Sequence, residues 1–302
     1  MEQKIIQKLA KNMIEKNKVV KIIGDIFTVL KGKSLVSACC LKNIKKNRVV
    51  VGDDVELKKD EYSVDKYIIT KVFPRKNCIP RPVVANIDKL LILVAIEPKP
   101  DFYLIDKLYI YSVTNNIEPV IVINKSDISD KSFVDNIKSQ YGFIKTFVIS
   151  AKCKSGVAEL KEYILKSVCA VCGQSAVGKS SLINALIPDV YQSTQGLSEK
   201  ISRGKHTTRV NEIFVCGDLC IADTPGFSNL DLNIDYDELQ EYYPEFQKYR
   251  ENCKYLDCSH VGEGKDCGVI SAKDMGKINT DRYLRYVDLY NKLKENWEKK
   301  YD

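Results

Sequence analysis

Long apolar segments are absent from this chain of 302 residues. Its longest apolar runs, such as Leu90 to Ile96, are far shorter than the roughly 20 residues that cross a bilayer, so we predict no transmembrane segment and no membrane partner. No signal-peptide pattern precedes the 11 cysteines, and their odd number does not suit a disulfide framework. Reduced thiols or metal ligands, and a cytoplasmic location, are therefore predicted.

Charge of one sign does not dominate, and histidine is scarce. The 47 Lys and Arg residues against 40 Asp and Glu residues give a formal charge of +7, which favours a polyanionic partner without identifying one. A hydrophobic content of 44% supports packed domains, and the length suits two or three of them. Internal repeats and low-complexity tracts do not stand out. The two histidines both fall in polar segments that carry other signals.

Residues 1–78 are predicted to form a small antiparallel β-barrel of the oligonucleotide-binding type, with an N-terminal helix at Ile5 to Ile14. Gly, Asn, Asp and Lys clusters separate six short β-rich runs: Val19 to Ile23, Ile26 to Leu30, Leu35 to Cys40, Val49 to Val51, Val55 to Leu57 and Tyr67 to Val72. A basic loop is either solvated or an RNA contact, and it comprises Lys42, Lys45, Lys46 and Arg48.

Residues 79–234 are predicted to form an α/β domain, and residues 235–302 a small zinc-binding domain with a C-terminal helix from Asp281. In the α/β segment, helix-like stretches alternate with apolar runs at Ile87 to Ile96, Pro119 to Ile123, Phe147 to Ile149, Val168 to Cys172 and Leu219 to Ala222. This alternation predicts a mainly parallel sheet with helices on both faces.

A phosphate-binding P-loop is the strongest signal in the chain. It follows the apolar run that ends at Cys172 and opens a helix that Pro188 terminates. Backbone N–H groups would surround the phosphates, Lys179 would reach the β- and γ-phosphates, and the Ser180 hydroxyl would bind Mg²⁺. The predicted nucleotide-binding residues here are Gly173, Gln174, Ser175, Ala176, Val177, Gly178, Lys179, Ser180 and Ser181.

Two further loops at strand ends predict that the base is guanine. Asn124, Lys125 and Asp127 fit the N-K-x-D pattern, in which the carboxylate accepts hydrogen bonds from the guanine N1–H and 2-amino groups together. Ser150, Ala151 and Lys152 form the companion loop, in which the Ala151 backbone N–H would meet guanine O6. The predicted ligands are therefore GTP and GDP.

The switch motifs lie between the P-loop and the C-terminal module. Asp223 follows a strand and would hold Mg²⁺ through water, and Gly226 would sense the γ-phosphate. The polar segment from Ser202 to Thr208 would be the mobile switch, with Thr207 as the magnesium ligand and Thr208 as the alternative.

The order of these motifs is unusual for a GTPase. The guanine motif at Asn124 precedes the P-loop at Gly173, whereas it ordinarily follows it. Because the termini of a compact α/β domain are often close, joining them and reopening the chain elsewhere leaves the site intact. The sequence therefore predicts a circularly permuted P-loop GTPase domain, in which the segment after Gly226 leads straight to the C-terminal module.

The residue that positions the attacking water is not the usual glutamine, because Phe227 follows Gly226. His206, in the predicted switch, could orient or deprotonate the water. The alternative is that His206 contacts RNA or only shapes the switch. The predicted catalytic residues are Lys179, His206, Thr207, Asp223 and Gly226.

A metal site is predicted near the C-terminal end. Cys253, Cys258, His260 and Cys267 supply three thiolates and an imidazole within fifteen residues, which is the ligand set of a closed structural zinc site. The module has little other core, so one zinc ion would supply folding energy directly.

The chain resembles the circularly permuted small-ribosomal-subunit biogenesis GTPases of bacteria. The resemblance covers nearly the whole chain: the barrel motif from Val51 to Val55, the junction from Arg75 to Asp88, the permuted motifs and the Cys/His tail. Ala176 stands where a glycine is common in that family. The resemblance implies a protein that binds the small (30S) ribosomal subunit and its rRNA, assists late maturation, and hydrolyses GTP to GDP with subunit-stimulated turnover. We expect the protein to be a monomer. It also points to His206 as the catalytic switch histidine.

Overall fold

The computed structural model describes residues 16–41, 44, 49–61, 66–80, 83–187, 212–223, 230, 232–262 and 266–301. Within these ranges, no helix has both the length and the apolar character needed to cross a membrane. The predicted N-terminal helix, and the four basic residues of the predicted loop between 42 and 48, lie outside the described residues.

Five N-terminal strands form a closed barrel in the order β1-β2-β3-β5-β4. They are β1 (Asn17–Ile23), β2 (Ile26–Lys31), β3 (Ser34–Cys40), β4 (Asp54–Lys59) and β5 (Lys66–Val72). Alternate side chains of a strand point to opposite faces, so one face of each strand can line the barrel. The barrel core consists of Val19, Phe27, Val29, Ala38, Val55 and Ile69.

Two predictions about the barrel were wrong. β3 and β5 pair in parallel, with Ala38 opposite Tyr67, so the barrel is not purely antiparallel. Val49 to Val51 is not a strand, because Val51 makes only an isolated bridge to Val84 and the chain then turns. At this turn Gly52 has a φ of 90°, and the backbone of Ala85 leaves no room for a side chain there.

The junction after the barrel contains a short hairpin of β6 (Cys78–Pro80) and β7 (Val83–Ala85), which the sequence did not predict. Asp53 is fully buried and accepts two hydrogen bonds from Arg75, at 2.6 and 2.9 Å. The Asn86 side chain donates to the carbonyl of Gly52 at 3.0 Å. These paired polar groups connect the barrel to the segment that leads into the sheet.

The α/β core contains a six-stranded sheet in the order β10-β9-β8-β11-β13-β12. Its strands are β8 (Lys89–Val94), β9 (Glu118–Ile123), β10 (Lys145–Val148), β11 (Val168–Gly173), β12 (Ile213–Cys216) and β13 (Leu219–Asp223). All neighbours pair in parallel except β12, which forms an antiparallel hairpin with β13. The strands carry nearly continuous apolar runs because helices cover both faces.

Four helices cover the two faces of this sheet. They are α1 (Phe102–Thr114), α2 (Lys131–Gln140), α3 (Val157–Ile164) and α4 (Lys179–Leu186). On one face, α1 packs over Leu90 and Ile92 of β8; on the other, α3 and α4 pack over Leu91 and Leu93. The sequence prediction of a parallel sheet with helices on both faces is confirmed.

The C-terminal module is helical and packs against α1. After a 3-10 helix at Glu238–Tyr242 it contains α5 (Pro244–Arg250), α6 (Gly268–Asp274) and α7 (Thr280–Tyr301). Four of its aromatic residues belong to the same buried cluster as α1 and β8: Tyr243, Phe246, Tyr283 and Tyr286. Tyr286 makes edge-on contacts with Tyr243 and Phe246, with ring centroids 4.9 Å apart in both pairs.

Candidate nucleotide site and metal centre

The predicted nucleotide loops converge at the carboxyl ends of three parallel strands. Asn124 follows β9, Ser150 follows β10, and the P-loop begins at the end of β11. Because carboxyl ends of parallel strands meet at one edge of a sheet, loops that are distant in sequence become neighbours. The backbone N–H of Ser126 donates to the carbonyl of Ile149 at 3.0 Å, which joins the two guanine loops directly.

Asn124 connects all three loops through one side-chain amide. Its nitrogen donates to the carbonyl of Val177 in the P-loop at 3.0 Å, and its oxygen accepts from the backbone N–H of Ala151 at 3.0 Å. Asn124 is only 2% exposed, so neither hydrogen bond competes with bulk water. The asparagine therefore lies beneath the site and fixes the phosphate loop relative to the base loops.

Asp127 is exposed at the rim, and Ser150 orients it. The buried Ser150 hydroxyl donates to the Asp127 carboxylate at 2.6 Å and accepts from the backbone N–H of Cys153 at 3.1 Å. The hydrogen bond from Ser150 is the main cause that lowers the pKa of Asp127, and Lys152 and Lys125 add to it. The carboxylate is therefore ionised and able to accept from two donors.

The P-loop backbone adopts left-handed conformations at Gly173, Ala176 and Gly178, with φ of 132°, 63° and 98°. Lys179 is the first residue of α4, and its Nζ donates to the carbonyls of Gly173 and Gln174 at 2.9 and 2.6 Å. The Lys179 side chain therefore crosses the turn of the P-loop. Val177 is buried, whereas four other residues of the loop are exposed to solvent: Ser175, Ala176, Ser180 and Ser181. A helix N-terminus combined with such a loop is an anion site.

The Cys/His cluster lies in the C-terminal module. The ligand atoms of Cys253, Cys258, His260 and Cys267 are all within 4.8 Å of one another, and no other such group occurs among the described residues. The His260 Nδ1 lies 3.6 Å from the Cys253 sulfur and 3.4 Å from the Cys267 sulfur, and these two sulfurs are 3.8 Å apart. Tetrahedral zinc with Zn–S bonds of about 2.3 Å separates its sulfurs by about 3.8 Å.

The surroundings of the cluster also fit a metal. Backbone N–H groups of Gly268 and Ile270 point at the sulfurs of Cys253 and Cys267, at 3.3 and 3.5 Å, and would stabilise thiolates. Burial lowers the pKa of His260 to about 4, so the imidazole is neutral at neutral pH, the form that binds metals. The hydroxyl of Tyr283 donates to the His260 carbonyl at 2.9 Å. The four residues fit a closed zinc site.

Several predicted site residues lie outside the described part of the chain. They include the switch segment with His206, Thr207 and Thr208, and the segment with Gly226 and Phe227. Asp223 is the last residue of β13, and its backbone is paired with that of Val171 in β11. Strand β13 therefore ends at the same edge of the sheet as the P-loop.

Comparisons with known proteins agree on one family. The family model described as RsgA GTPase matches residues 72–233. A relative from Caldanaerobacter subterraneus subsp. tengcongensis, named small ribosomal subunit biogenesis GTPase RsgA, is 36% identical over 94% of this chain and 97% of its own.

The chain belongs to the RsgA GTPase family. As a member of this family it is a GTP-hydrolysing enzyme. A relative of the same name from Thermotoga maritima is 38% identical over 84% of this chain and 85% of its own.

Solved structures support the fold of this chain. YjeQ from Thermotoga maritima is 31% identical, with a TM-score of 0.77, and the match covers 92% of this chain and 98% of YjeQ. YloQ, described as a circularly permuted GTPase, has a TM-score of 0.75 at 24% identity, over 94% of this chain and 96% of its own. The predicted fold class is confirmed.

Two basic residues of the C-terminal module make buried ion pairs that the sequence did not predict. From the sequence alone, five basic residues of the tail could meet RNA phosphates, with no individual contact assigned: Lys248, Arg250, Lys254, Arg282 and Arg285. Arg282, however, is 1% exposed and pairs with Asp106 and Glu245, and Arg285 pairs with the same Asp106. Both arginines join α7 to α1 instead of facing solvent. The signal that could have predicted this is Asp106, a single carboxylate within the apolar residues of α1.

Proposed function

We propose that this GTPase binds the small ribosomal subunit late in its maturation and hydrolyses GTP to GDP and phosphate, with turnover that the subunit stimulates. The relatives' shared name, biogenesis GTPase of the small subunit, supports this proposal, and those relatives match this chain over nearly their full length. The protein would act in the cytoplasm as a monomer.

The observation that carries the nucleotide assignment is the set of contacts made by Asn124. One buried amide joins the N-K-x-D loop, the Ser-Ala-Lys loop and the P-loop, although these segments come from separate parts of the chain. In the proposed site, Asp127 reads the guanine N1–H and amino groups, and the Ala151 N–H meets guanine O6. Lys125 and Lys152 flank the base. Phosphates would bind the backbone of residues 173–181 with the Lys179 ammonium.

Hydrolysis would use groups that surround the γ-phosphate. Ser180 and Thr207 would bind Mg²⁺ directly, and Asp223 would do so through water. Gly226 would contact the γ-phosphate, and His206 would position the attacking water in place of the missing glutamine. The Mg²⁺ ion would neutralise charge that develops on the phosphate oxygens. In this proposal the subunit aligns these groups for hydrolysis, so we expect slow turnover by the free protein.

The cluster of Cys253, Cys258, His260 and Cys267 would bind one structural zinc ion per chain. Four protein atoms could fill all the positions of a tetrahedral ion, so the ion would stabilise the module and take no part in hydrolysis.

The barrel would contact rRNA as a module of the oligonucleotide-binding type, and the chain would divide at residues 78 and 234 into barrel, GTPase and zinc domains. At the end of the last barrel strand, the Nζ atoms of Lys16 and Lys71 each lie 5.3 Å from the centroid of the Phe73 ring. Lys31 lies 5.6 Å from the ring of Tyr67. Aromatic rings beside lysines can stack on bases while the lysines meet phosphates.

Nucleotide-dependent association tests the proposal. Purified, zinc-loaded protein is mixed with small ribosomal subunits and either a non-hydrolysable GTP analogue or GDP, and the bound fraction is measured after sedimentation. We expect binding with the analogue and release with GDP. Equal binding in both states would contradict the proposed cycle. Binding to free RNA or to another protein, without preference for the subunit, would favour a GTP-dependent switch with a different partner.

A further inference from the structure

Helix α1 begins beside the P-loop. The side-chain amide of Gln174 makes two hydrogen bonds to the segment that precedes α1. Its oxygen accepts from the backbone N–H of Asp101 at 3.0 Å, and its nitrogen donates to the carbonyl of Lys99 at 3.1 Å. Asp101 is the N-cap of α1, and its carboxylate accepts from the backbone N–H of Leu104 at 3.0 Å. The P-loop is therefore linked to the first turn of α1.

The same segment contacts the guanine loop. The Nζ of Lys125 donates to the carbonyl of Glu97 at 2.8 Å. Residues 97–101 thus connect both nucleotide loops to the start of α1, and any displacement of α1 along its axis would change the position of this segment.

Helix α1 is anchored to the C-terminal module by a buried charge network. Asp106 lies five residues after Asp101, about 7.5 Å along the helix axis. It is fully buried, and it accepts from Arg282, from Arg285 and from the Tyr141 hydroxyl, the last at 2.7 Å. Removing one partner from a buried charge leaves the other uncompensated, so such a network stays paired and limits movement.

Arg282 extends the network into the module. Burial opposes its charged form, but Asp106 and Glu245 outweigh this effect and raise the pKa of the guanidinium. The guanidinium also lies over the rings of Tyr141 and Tyr243, 4.9 and 4.7 Å from their centroids. Arg285 makes a further bond to the Gln140 side chain at 2.8 Å. Helix α7 is therefore fixed on α1 at the level of Asp106.

We propose that α1 transmits the position of the C-terminal module to the P-loop, with Gln174 and Asp106 as positioning residues at its two contacts. Docking of the module then increases nucleotide affinity. By reciprocity, bound nucleotide strengthens the docking of the module. This inference rests on the proposed nucleotide site.

A double-mutant cycle tests the coupling. The variants are Gln174→Ala, Arg285→Ala and the double variant, each as full-length, zinc-loaded protein, and the measured quantity is the dissociation constant of GDP that carries a fluorescent label. Gln174→Ala removes two hydrogen bonds and is expected to weaken binding about three- to tenfold. Arg285→Ala is expected to weaken binding about twofold in the wild-type background and to have no effect when Gln174 is already alanine.

Two further variants make the result specific. Tyr141→Phe removes one bond to Asp106 and keeps the ring, so it repeats the cycle if Arg285→Ala does not fold; it should also weaken binding only when Gln174 is present. Arg250→Ala is the matched control, because Arg250 pairs with Glu241 inside the module, and it should not change GDP affinity.

The inference would be overturned if Arg285→Ala weakened GDP binding equally in both backgrounds. It would also be overturned if neither Arg285→Ala nor Tyr141→Phe changed GDP affinity in folded protein. Either result would leave the proposed nucleotide site intact. A wild-type chain that binds no GDP would instead overturn the proposed nucleotide site, and this inference with it.

Discussion

At the scale of single residues, Gly178 shows how the nucleotide loop depends on one absent side chain. Its φ is 98°, and a Cβ there would overlap the amide nitrogen of Asn124. The variant Gly178→Ala should therefore displace Asn124 and lose its bond to Val177. We expect a loss of about 2 kcal/mol in the free energy of unfolding, from backbone strain and the broken bond, and GDP binding weakened by at least about tenfold. Thermal unfolding and a fluorescent-GDP titration measure the two effects.

Ala176 supplies the control for that variant in the same loop. It has a φ of 63° and is exposed, so Ala176→Gly relieves backbone strain without removing a buried contact. GDP affinity should stay within about twofold of wild type, because only the local backbone preference changes. A large loss of affinity in both variants would show that the loop tolerates no substitution, and that the overlap with Asn124 is not the cause of the loss in Gly178→Ala.

Asp127 determines the base in this account. The variant Asp127→Asn should lose affinity for GDP and gain affinity for xanthosine diphosphate, because xanthine carries a carbonyl where guanine carries its amino group. Competition against a fluorescent nucleotide measures both affinities. Wild-type protein that binds ADP as tightly as GDP would show that residues 124–127 do not read guanine.

The pH dependence of binding follows from the lowered pKa of Asp127. Binding needs the ionised carboxylate, so GDP affinity should be lost as the pH falls through the pKa of Asp127, below the usual value of about 3.9. In Ser150→Ala the main cause of the lowering is gone, so the loss should begin at higher pH. Affinity is measured in both proteins at stepwise lower pH, with folding followed by circular dichroism. Superimposable profiles would contradict a role for Ser150.

At the scale of elements, the zinc site and α7 make a direct test of module folding possible. The chain has one tryptophan, Trp297 on α7, whose ring lies 5.7 Å from that of Tyr236. A chelator should unfold the module and change tryptophan fluorescence, while GDP binding by the α/β core changes only a few-fold. Purified protein should contain one zinc per chain. A zinc content well below one per chain, or tryptophan fluorescence that the chelator leaves unchanged, would contradict the proposed structural zinc site.

Most strands could be predicted from the sequence because each has a long enough apolar run. The runs at Val168 to Cys172 and Leu219 to Ala222 are examples, since strands buried on both faces need nearly continuous apolar residues. The missed strands are short: β6 and β7 have three residues each and β12 has four. Such segments are stabilised by pairing with a neighbour, and local periodicity carries little information about that pairing.

At the scale of the whole molecule, the nucleotide loops could be predicted but the links between them could not. The P-loop and N-K-x-D patterns are local, and their placement at strand ends follows from the fold. The contacts of Asn124 with Val177, and of Asp106 with Arg282, join residues 53 and 176 positions apart. A buried arginine has the same local sequence signal as an exposed one, so the ion pairs became visible only in the folded chain.

Catalysis also belongs to this scale, because it is proposed to need the ribosome. The variant His206→Ala should leave GTP affinity nearly unchanged, since binding depends on the P-loop and guanine loops. Subunit-stimulated turnover should fall by at least about tenfold, because water-positioning or general-base groups contribute roughly 10²- to 10⁴-fold. Steady-state phosphate release at saturating GTP measures this. Near-normal stimulated turnover would assign the role to another residue or to the ribosome itself.

The most direct test of the account measures GTP hydrolysis by the wild-type protein alone, with purified small ribosomal subunits, with large subunits and with free rRNA. We predict slow phosphate release by the protein alone and a strong increase with small subunits only. Turnover that small subunits leave unchanged, or that free rRNA increases equally, would contradict the proposed function.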